Sequence, residues 1–144
     1  MKRDNYKTSG EEETIALGRT LAARWPRPCV VLLIGPMGAG KTTMAKGIAA
    51  GAGAAGEDEV SSPTFPLIHE YGDPVSVYHV DLYRLDTVEE VERIGLDEIM
   101  ERHAVVLLEW AERFPGILPA RRVEIRMESD GDEGRSIEVT EYGG

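Results

Sequence analysis

Residues 35–42, Gly-Pro-Met-Gly-Ala-Gly-Lys-Thr, match the pattern GxxxxGKS/T, and no other feature restricts the chain's fold so strongly. A chance match in a chain of 144 residues is on the order of one in a few hundred. The flanking residues add to it. Cys29–Ile34 (CVVLLI) is apolar at every position and rich in branched side chains, as a strand covered on both faces of a parallel sheet requires. Residues 41–50 are mostly small and predict a helix. Strand, Gly-rich loop and helix in that order form the phosphate-binding supersecondary unit.

The residue types fit that chemistry. Glycine lets the main chain curl round an anion with no Cβ in the way. The N–H groups of Gly38, Ala39 and Gly40, at the mouth of the helix, then point at a phosphate. Lys41 reaches β- and γ-phosphates, the Thr42 hydroxyl is placed to ligate Mg²⁺, and Thr43 adds an α-phosphate contact. The loop therefore predicts ATP with Mg²⁺ as cofactor. The plainer alternative is a Gly-rich turn before an ordinary helix.

The rest of the chain reads as one α/β domain over residues 1–144, a P-loop NTPase-like three-layer fold with a mostly parallel central sheet and antiparallel edge strands. Ser9 and Glu12 have capping-box spacing and open a helix carrying Leu17, Leu21, Ala22 and Trp25, which Pro26 and Pro28 stop. Residues 51–56 predict a flexible connection. Residues 65–71 and 75–80 predict an antiparallel hairpin around Gly72-Asp73-Pro74. Two short helices over 87–94 and 96–102 break at Gly95, residues 104–108 (AVVLL) make a second buried strand, and a late hairpin pairs 123–127 with 136–140.

Ligands of open α/β sheets sit at the carboxyl ends of the strands, and two acids fall there. Glu109 follows AVVLL and is assigned to Mg²⁺, directly or through water. Asp81 follows the strand over 75–80 and is assigned to the nucleophilic water or the metal shell. The sequence leaves the division of roles between them open. Thr64, in Ser-Pro-Thr-Phe, is placed to sense the γ-phosphate or the metal, and Trp110 is placed either to stack on a nucleotide or to fill the core. His79 is a candidate to orient Asp81, or an ordinary hydrogen-bonded strand histidine; His69, His79 and His103 lack metal-ligand spacing.

Composition excludes several classes. A formal charge of −10 is the wrong sign for a protein that holds DNA or RNA by neutralising phosphates, so any contact with nucleic acid is expected to be indirect, through a partner, or confined to a small local patch, and no DNA partner is expected. The acidic stretches at 57–59 and 89–101 read as solvated faces. The single cysteine, Cys29, removes disulfide frameworks and cysteine-cluster zinc sites and reads as a buried small hydrophobe. No apolar run approaches a membrane span and the first residues are polar, so the expected location is cytoplasmic, with no membrane partner.

GPMGAGKTT, SSPTF, YHVDLYRL, IGLDE and LLEWAER, beginning at residues 35, 61, 78, 94 and 107, together resemble the bacterial ATPase component of tRNA threonylcarbamoyladenosine biosynthesis, the TsaE type. The resemblance covers nearly the whole chain. The loop motif is shared by a vast superfamily, whereas SPTF, HxDLYR and EW at this spacing are specific. The resemblance implies slow ATP hydrolysis, and two partners, the threonylcarbamoyl-transfer subunit and its paralogue, in modifying adenosine 37 of tRNA. It also implies a nucleotide close to the interface with the transfer subunit. On it, Lys41, Thr42 and Glu109 match phosphate and metal residues, Asp81 the second acid and Trp110 the tryptophan near the nucleotide. Glu11 and Arg135 are candidates from the N-terminal segment and a C-terminal turn. Met37 stands where the family loop usually has leucine, a volume-conserving change.

Two other readings compete. A small-molecule kinase needs a closing lid with arginines, but Arg84, Arg93 and Arg102 are scattered and no lid insertion is visible. A nucleotide-bound scaffold without turnover is the third. The absence of an arginine-rich stretch after Arg113 predicts that a partner completes the site.

Overall fold

The computed structural model describes residues 1–54, 67–72 and 74–143. Among the described residues seven strands form one sheet: β1 (Lys2–Thr8), β2 (Cys29–Ile34), β3 (Ile68–Tyr71), β4 (Val77–Asp81), β5 (Val105–Glu109), β6 (Arg122–Ser129) and β7 (Arg135–Tyr142). Their order is β1-β7-β6-β2-β5-β4-β3. The central strands β6, β2, β5 and β4 run parallel, and antiparallel pairs β7/β6, β1/β7 and β3/β4 extend the sheet at either side.

Both faces of the central strands are covered, which is why their sequences are apolar throughout. Val31, Leu33, Leu107 and Ile125 face α1 (Glu11–Arg24) and α2 (Lys41–Gly51), where they pack with Leu21, Met44 and Ile48. Val30, Leu32, Val106 and Leu108 face the other way, onto α3 (Val88–Arg93) and α4 (Leu96–Met100), with Val91, Leu96, Ile99 and Phe114. Burying each such side chain contributes roughly 1.5–3 kcal/mol. α3 begins in a true capping box: Thr87 Oγ1 accepts from the Glu90 N–H, and the Glu90 carboxylate accepts from the Thr87 N–H.

Helices α1 and α2 approach unusually closely because glycines line their seam. A Cβ placed on Gly47 would lie 2.2 Å from the Ile15 carbonyl oxygen, one on Gly51 2.4 Å from that of Arg19, and one on Gly18 2.8 Å from that of Met44. This contact fixes α2, and with it the loop that precedes α2.

The structure corrects the sequence reading at two places. The polar N-terminal residues form edge strand β1, paired along its length with β7. Its inward anchors are Tyr6, packed on the core, and Thr8, hydrogen-bonded to Thr14 at 2.7 Å. The cap of α1 uses Glu13 rather than Glu12: Gly10 is the N-cap residue, and Ser9 donates through its N–H and its hydroxyl to the Glu13 carboxylate at 3.0 and 2.6 Å. Among the described residues no helix is long and apolar enough to cross a membrane.

Candidate functional site

The parallel register sets the site. Leu33 of β2 lies beside Glu109 of β5, and Glu109 lies beside Asp81 of β4, so both acids reach the carboxyl edge where the Gly-rich loop leaves β2. Gly38 and Gly40 take φ of 82° and 99°, the left-handed region that side chains resist. At Gly40 a Cβ would also press on Arg135 Nε at 3.1 Å and Met127 Cε at 3.3 Å. Gly40 is the N-cap of α2, so the helix begins at Lys41 with its first amides turned toward the loop.

A cavity of about 630 Å³ opens there, lined by Met37, Gly38, Gly40, Lys41, Thr42, Thr43, Leu67, Asp81, Tyr83, Arg84, Glu109, Trp110 and Arg135. Volume does not single it out, since hollows of about 500 and 700 Å³ lie elsewhere on the surface. What distinguishes it is the convergence of helix-start amides, a lysine and two buried acids in one place.

Lys41 is almost fully buried, and its Nζ lies 3.8 Å from Glu109 Oε1 and 4.4 Å from the centre of the Trp110 ring. The ammonium is thus held between a carboxylate and an aromatic face. Trp110 adopts a positive φ of 66°, uncommon for a bulky residue, and its ring also meets Tyr83 at 5.1 Å. Glu109 Oε2 is bonded to His79 Nε2 at 2.6 Å, and His79 is completely buried. His79 therefore holds Glu109; the expectation that it orients Asp81 is replaced.

Asp81 Oδ1 accepts the Tyr83 N–H at 2.8 Å. Burial raises the Asp81 carboxyl above its usual range, the Tyr83 amide opposes this, and the charge of Glu109 adds to the rise. Arg135, at the start of β7, lies against Gly40 and is steadied by donating to the Gly134 carbonyl at 2.8 Å. Glu11 sits exposed in the first turn of α1 and is not on the cavity wall. Ala39 is buried inside the loop, and its N–H is bonded to the Pro36 carbonyl rather than turned outward to a phosphate as the sequence suggested, because the loop closes a tight turn on itself there. Thr64, with the rest of SPTF, lies outside the described residues, as does Asp73 of the expected turn.

Sequence reasoning missed Met37, Leu67 and Tyr83 as cavity residues, and it set aside as scattered Arg84, which also lines the cavity. Tyr83 had a signal, since it lies two residues beyond Asp81 in HVDLYR and Asp81 turns back to its amide. Among the described residues no group of three or more His, Cys, Asp or Glu side chains is gathered to hold a metal. Mg²⁺ in phosphate sites needs only one or two protein carboxylates, the remaining ligands being phosphate oxygens and water. Thr42 and Glu109 on the same cavity wall fit that donor set.

A Gly-rich loop between a buried parallel strand and a helix, facing strand-end acids, defines a P-loop NTPase-like fold. The solved structure of Bacillus subtilis YdiB shares it, with a TM-score of 0.79 and 36% sequence identity, covering 99% of this chain and 87% of that one. The family profile of threonylcarbamoyl adenosine biosynthesis protein TsaE matches residues 8–137. The chain is 41% identical over 144 residues to the tRNA threonylcarbamoyladenosine biosynthesis protein TsaE of Bacillus subtilis, covering 99% of this chain and 89% of that protein. It is 35% identical over 128 residues to the protein of the same name from Treponema pallidum, covering 89% and 93%. The chain belongs to the TsaE family.

Proposed function

We propose that this protein binds ATP·Mg²⁺ through Gly38–Thr43 and hydrolyses it slowly, as the ATPase subunit for threonylcarbamoyladenosine modification of tRNA. Its partners on this reading are the threonylcarbamoyl-transfer subunit and that subunit's paralogue, which hold the tRNA. The names of the TsaE relatives support the pathway. The observation that carries the chemistry is the meeting of Lys41, Thr42, Glu109 and Asp81 on one cavity wall at the start of α2.

On this reading the loop amides cradle the β-phosphate and Lys41 turns from Glu109 to the β- and γ-oxygens. Thr42 and Glu109 would hold Mg²⁺, whose contribution when bound would be to neutralise the negative charge that develops on the phosphates. Asp81 aligns the attacking water. Its raised pKa, which makes the carboxylate more basic, suits a group that must accept a proton, or share one, beside a second carboxylate. Trp110, with Tyr83 behind it, gives the nucleotide an aromatic wall.

Titration calorimetry with ATP and Mg²⁺ tests the binding, with Lys41→Ala as the control that removes the cation. ATP turnover is then measured with and without the transfer subunit. Heat of binding in the wild type, lost in Lys41→Ala, and turnover that rises with the partner are the expected results. No binding by folded wild-type protein would refute the reading, and an unchanged rate and affinity with the partner would refute its assembly.

A further inference from the structure

We propose that His79 is a positioning residue for Glu109: its imidazole holds one carboxylate oxygen so that the other alone faces the phosphate cavity. The inference rests on the ATP·Mg²⁺ reading and concerns the same site. Three observations carry it.

First, the pair is made by strand register rather than by local sequence. His79 and Asp81 share one face of β4, Leu107 and Glu109 the same face of β5, and His79 is level with Leu107. The ring therefore lies one step below the two acids and meets Glu109 from the core side. The contact, at 2.6 Å to Oε2, is short, as bonds to an ionised carboxylate are.

Second, the ring has no other polar partner among the described residues, and its Nδ1 is buried and unpaired. A histidine kept only for packing would bring a polar atom into an apolar site for nothing, since an aliphatic side chain fills such a space without that penalty. The neutral tautomer with hydrogen on Nε2 reconciles both nitrogens. It donates to Glu109 and leaves Nδ1 as a bare acceptor rather than a stranded donor.

Third, the two oxygens of Glu109 are divided. Oε2 is taken by His79 and Oε1 lies 3.8 Å from Lys41 Nζ. When Lys41 engages a phosphate, Oε1 is left pointing at the place a cation would take, while the bond to His79 stops the carboxylate from following the lysine. Such outer partners of a ligating carboxylate typically govern metal affinity or activity by about 10- to 100-fold.

The test compares His79→Leu and His79→Gln, the amide of Gln reaching about where Nε2 lies. Calorimetry with ATP is run once with Mg²⁺ and once with EDTA. The expected result is that His79→Leu loses about 10- to 100-fold of the affinity gained from Mg²⁺, keeps the wild-type affinity in EDTA, and is restored by Gln. An undiminished Mg²⁺ gain in His79→Leu, equal losses with and without Mg²⁺, or no recovery in folded His79→Gln would each overturn the proposal. Side-chain ¹⁵N spectra of the wild-type protein supply a readout independent of the nucleotide and of the variants' folding. They should show the Nε2–H tautomer with a slowly exchanging ring proton, and an Nδ1–H tautomer overturns the inference. If wild-type protein binds no ATP, the functional reading fails while these spectra still decide the His79–Glu109 bond.

Discussion

Replacing Gly47 by alanine tests how the helix pair holds the phosphate loop. In a helix interior this change ordinarily stabilises, by about 1 kcal/mol, because alanine is the better helix former. Here the new methyl would lie 2.2 Å from the Ile15 carbonyl oxygen and 2.9 Å from its carbon, both backbone atoms that no side-chain rotation can move. Real Cβ atoms keep at least 3.0 Å, so α1 and α2 must part by nearly an ångström. Forcing a methyl into a well-packed contact costs about 1–3 kcal/mol, and a backbone obstacle belongs at the upper end of that range. The net expectation is a loss of about 2 kcal/mol, or roughly 6 °C in Tm for a domain of this size. Urea denaturation of Gly47→Ala and wild type measures it. Gly116→Ala, where a Cβ would meet nothing within 4 Å, is the control and should stay within about 0.5 kcal/mol. Because α2 begins at Lys41, the same displacement should weaken ATP binding. A Gly47→Ala protein as stable as wild type would refute the close approach.

The buried Cys29 thiol is pushed up to about 11 from 9.0, chiefly by burial, so at pH 8 it carries about a hundredfold less thiolate than an ordinary thiol. Labelling by a thiol-disulfide reagent at pH 8 should be at least about 100-fold slower in native protein than in urea; comparable rates would show that the thiol is exposed. Asp81→Asn should raise stability at pH 7 while abolishing turnover. A carboxyl whose folded value is raised binds more protons folded than unfolded, so stability falls as pH rises from the unfolded value through the folded one and is level above it. The advantage of Asp81→Asn should therefore shrink as the pH is lowered toward 4, and a gap between the two proteins that stays constant with pH would refute the assignment.

The parts of the fold most legible in the sequence were those that bury both faces. CVVLLI and AVVLL could only be strands covered on two sides, and they became neighbours β2 and β5. β1 was hidden because an edge strand needs few apolar residues: in KRDNYKT only Tyr6 and Thr8 anchor the inner face, and the pairing partner lies in a hairpin more than 120 residues away. The α1 cap was displaced by one residue because Gly10 supplies the N-cap with an extended backbone, which moves the capping acid to Glu13. For the site, the loop and both acids were readable because each ends an apolar run or follows a motif. The bond between His79 and Glu109 was not, since it spans 30 residues and exists only through the β4/β5 register. Counting along one strand put His79 next to Asp81; the sheet put it against Glu109.

An acidic protein that takes up a polyanion has to do so by local means. At about 0.1 M salt, charges more than roughly 10 Å from a ligand are largely screened, so most of the surface acids count little at the cavity. Among the described residues lining the cavity Lys41, Arg84 and Arg135 outnumber Asp81 and Glu109, and the amides at the start of α2 add partial positive charge. The balance is nevertheless narrow, because Lys41 is already engaged with Glu109. On the proposed reading a phosphate alone must draw Lys41 out of that ion pair and leave Glu109 a buried carboxylate facing an anion. A phosphate arriving with a divalent cation meets no such penalty, since the cation takes the place of the lysine at Oε1. On that reading the Lys41–Glu109 pair makes nucleotide and cation favour one another's binding, with no cluster of three or more metal-ligating side chains needed among the described residues.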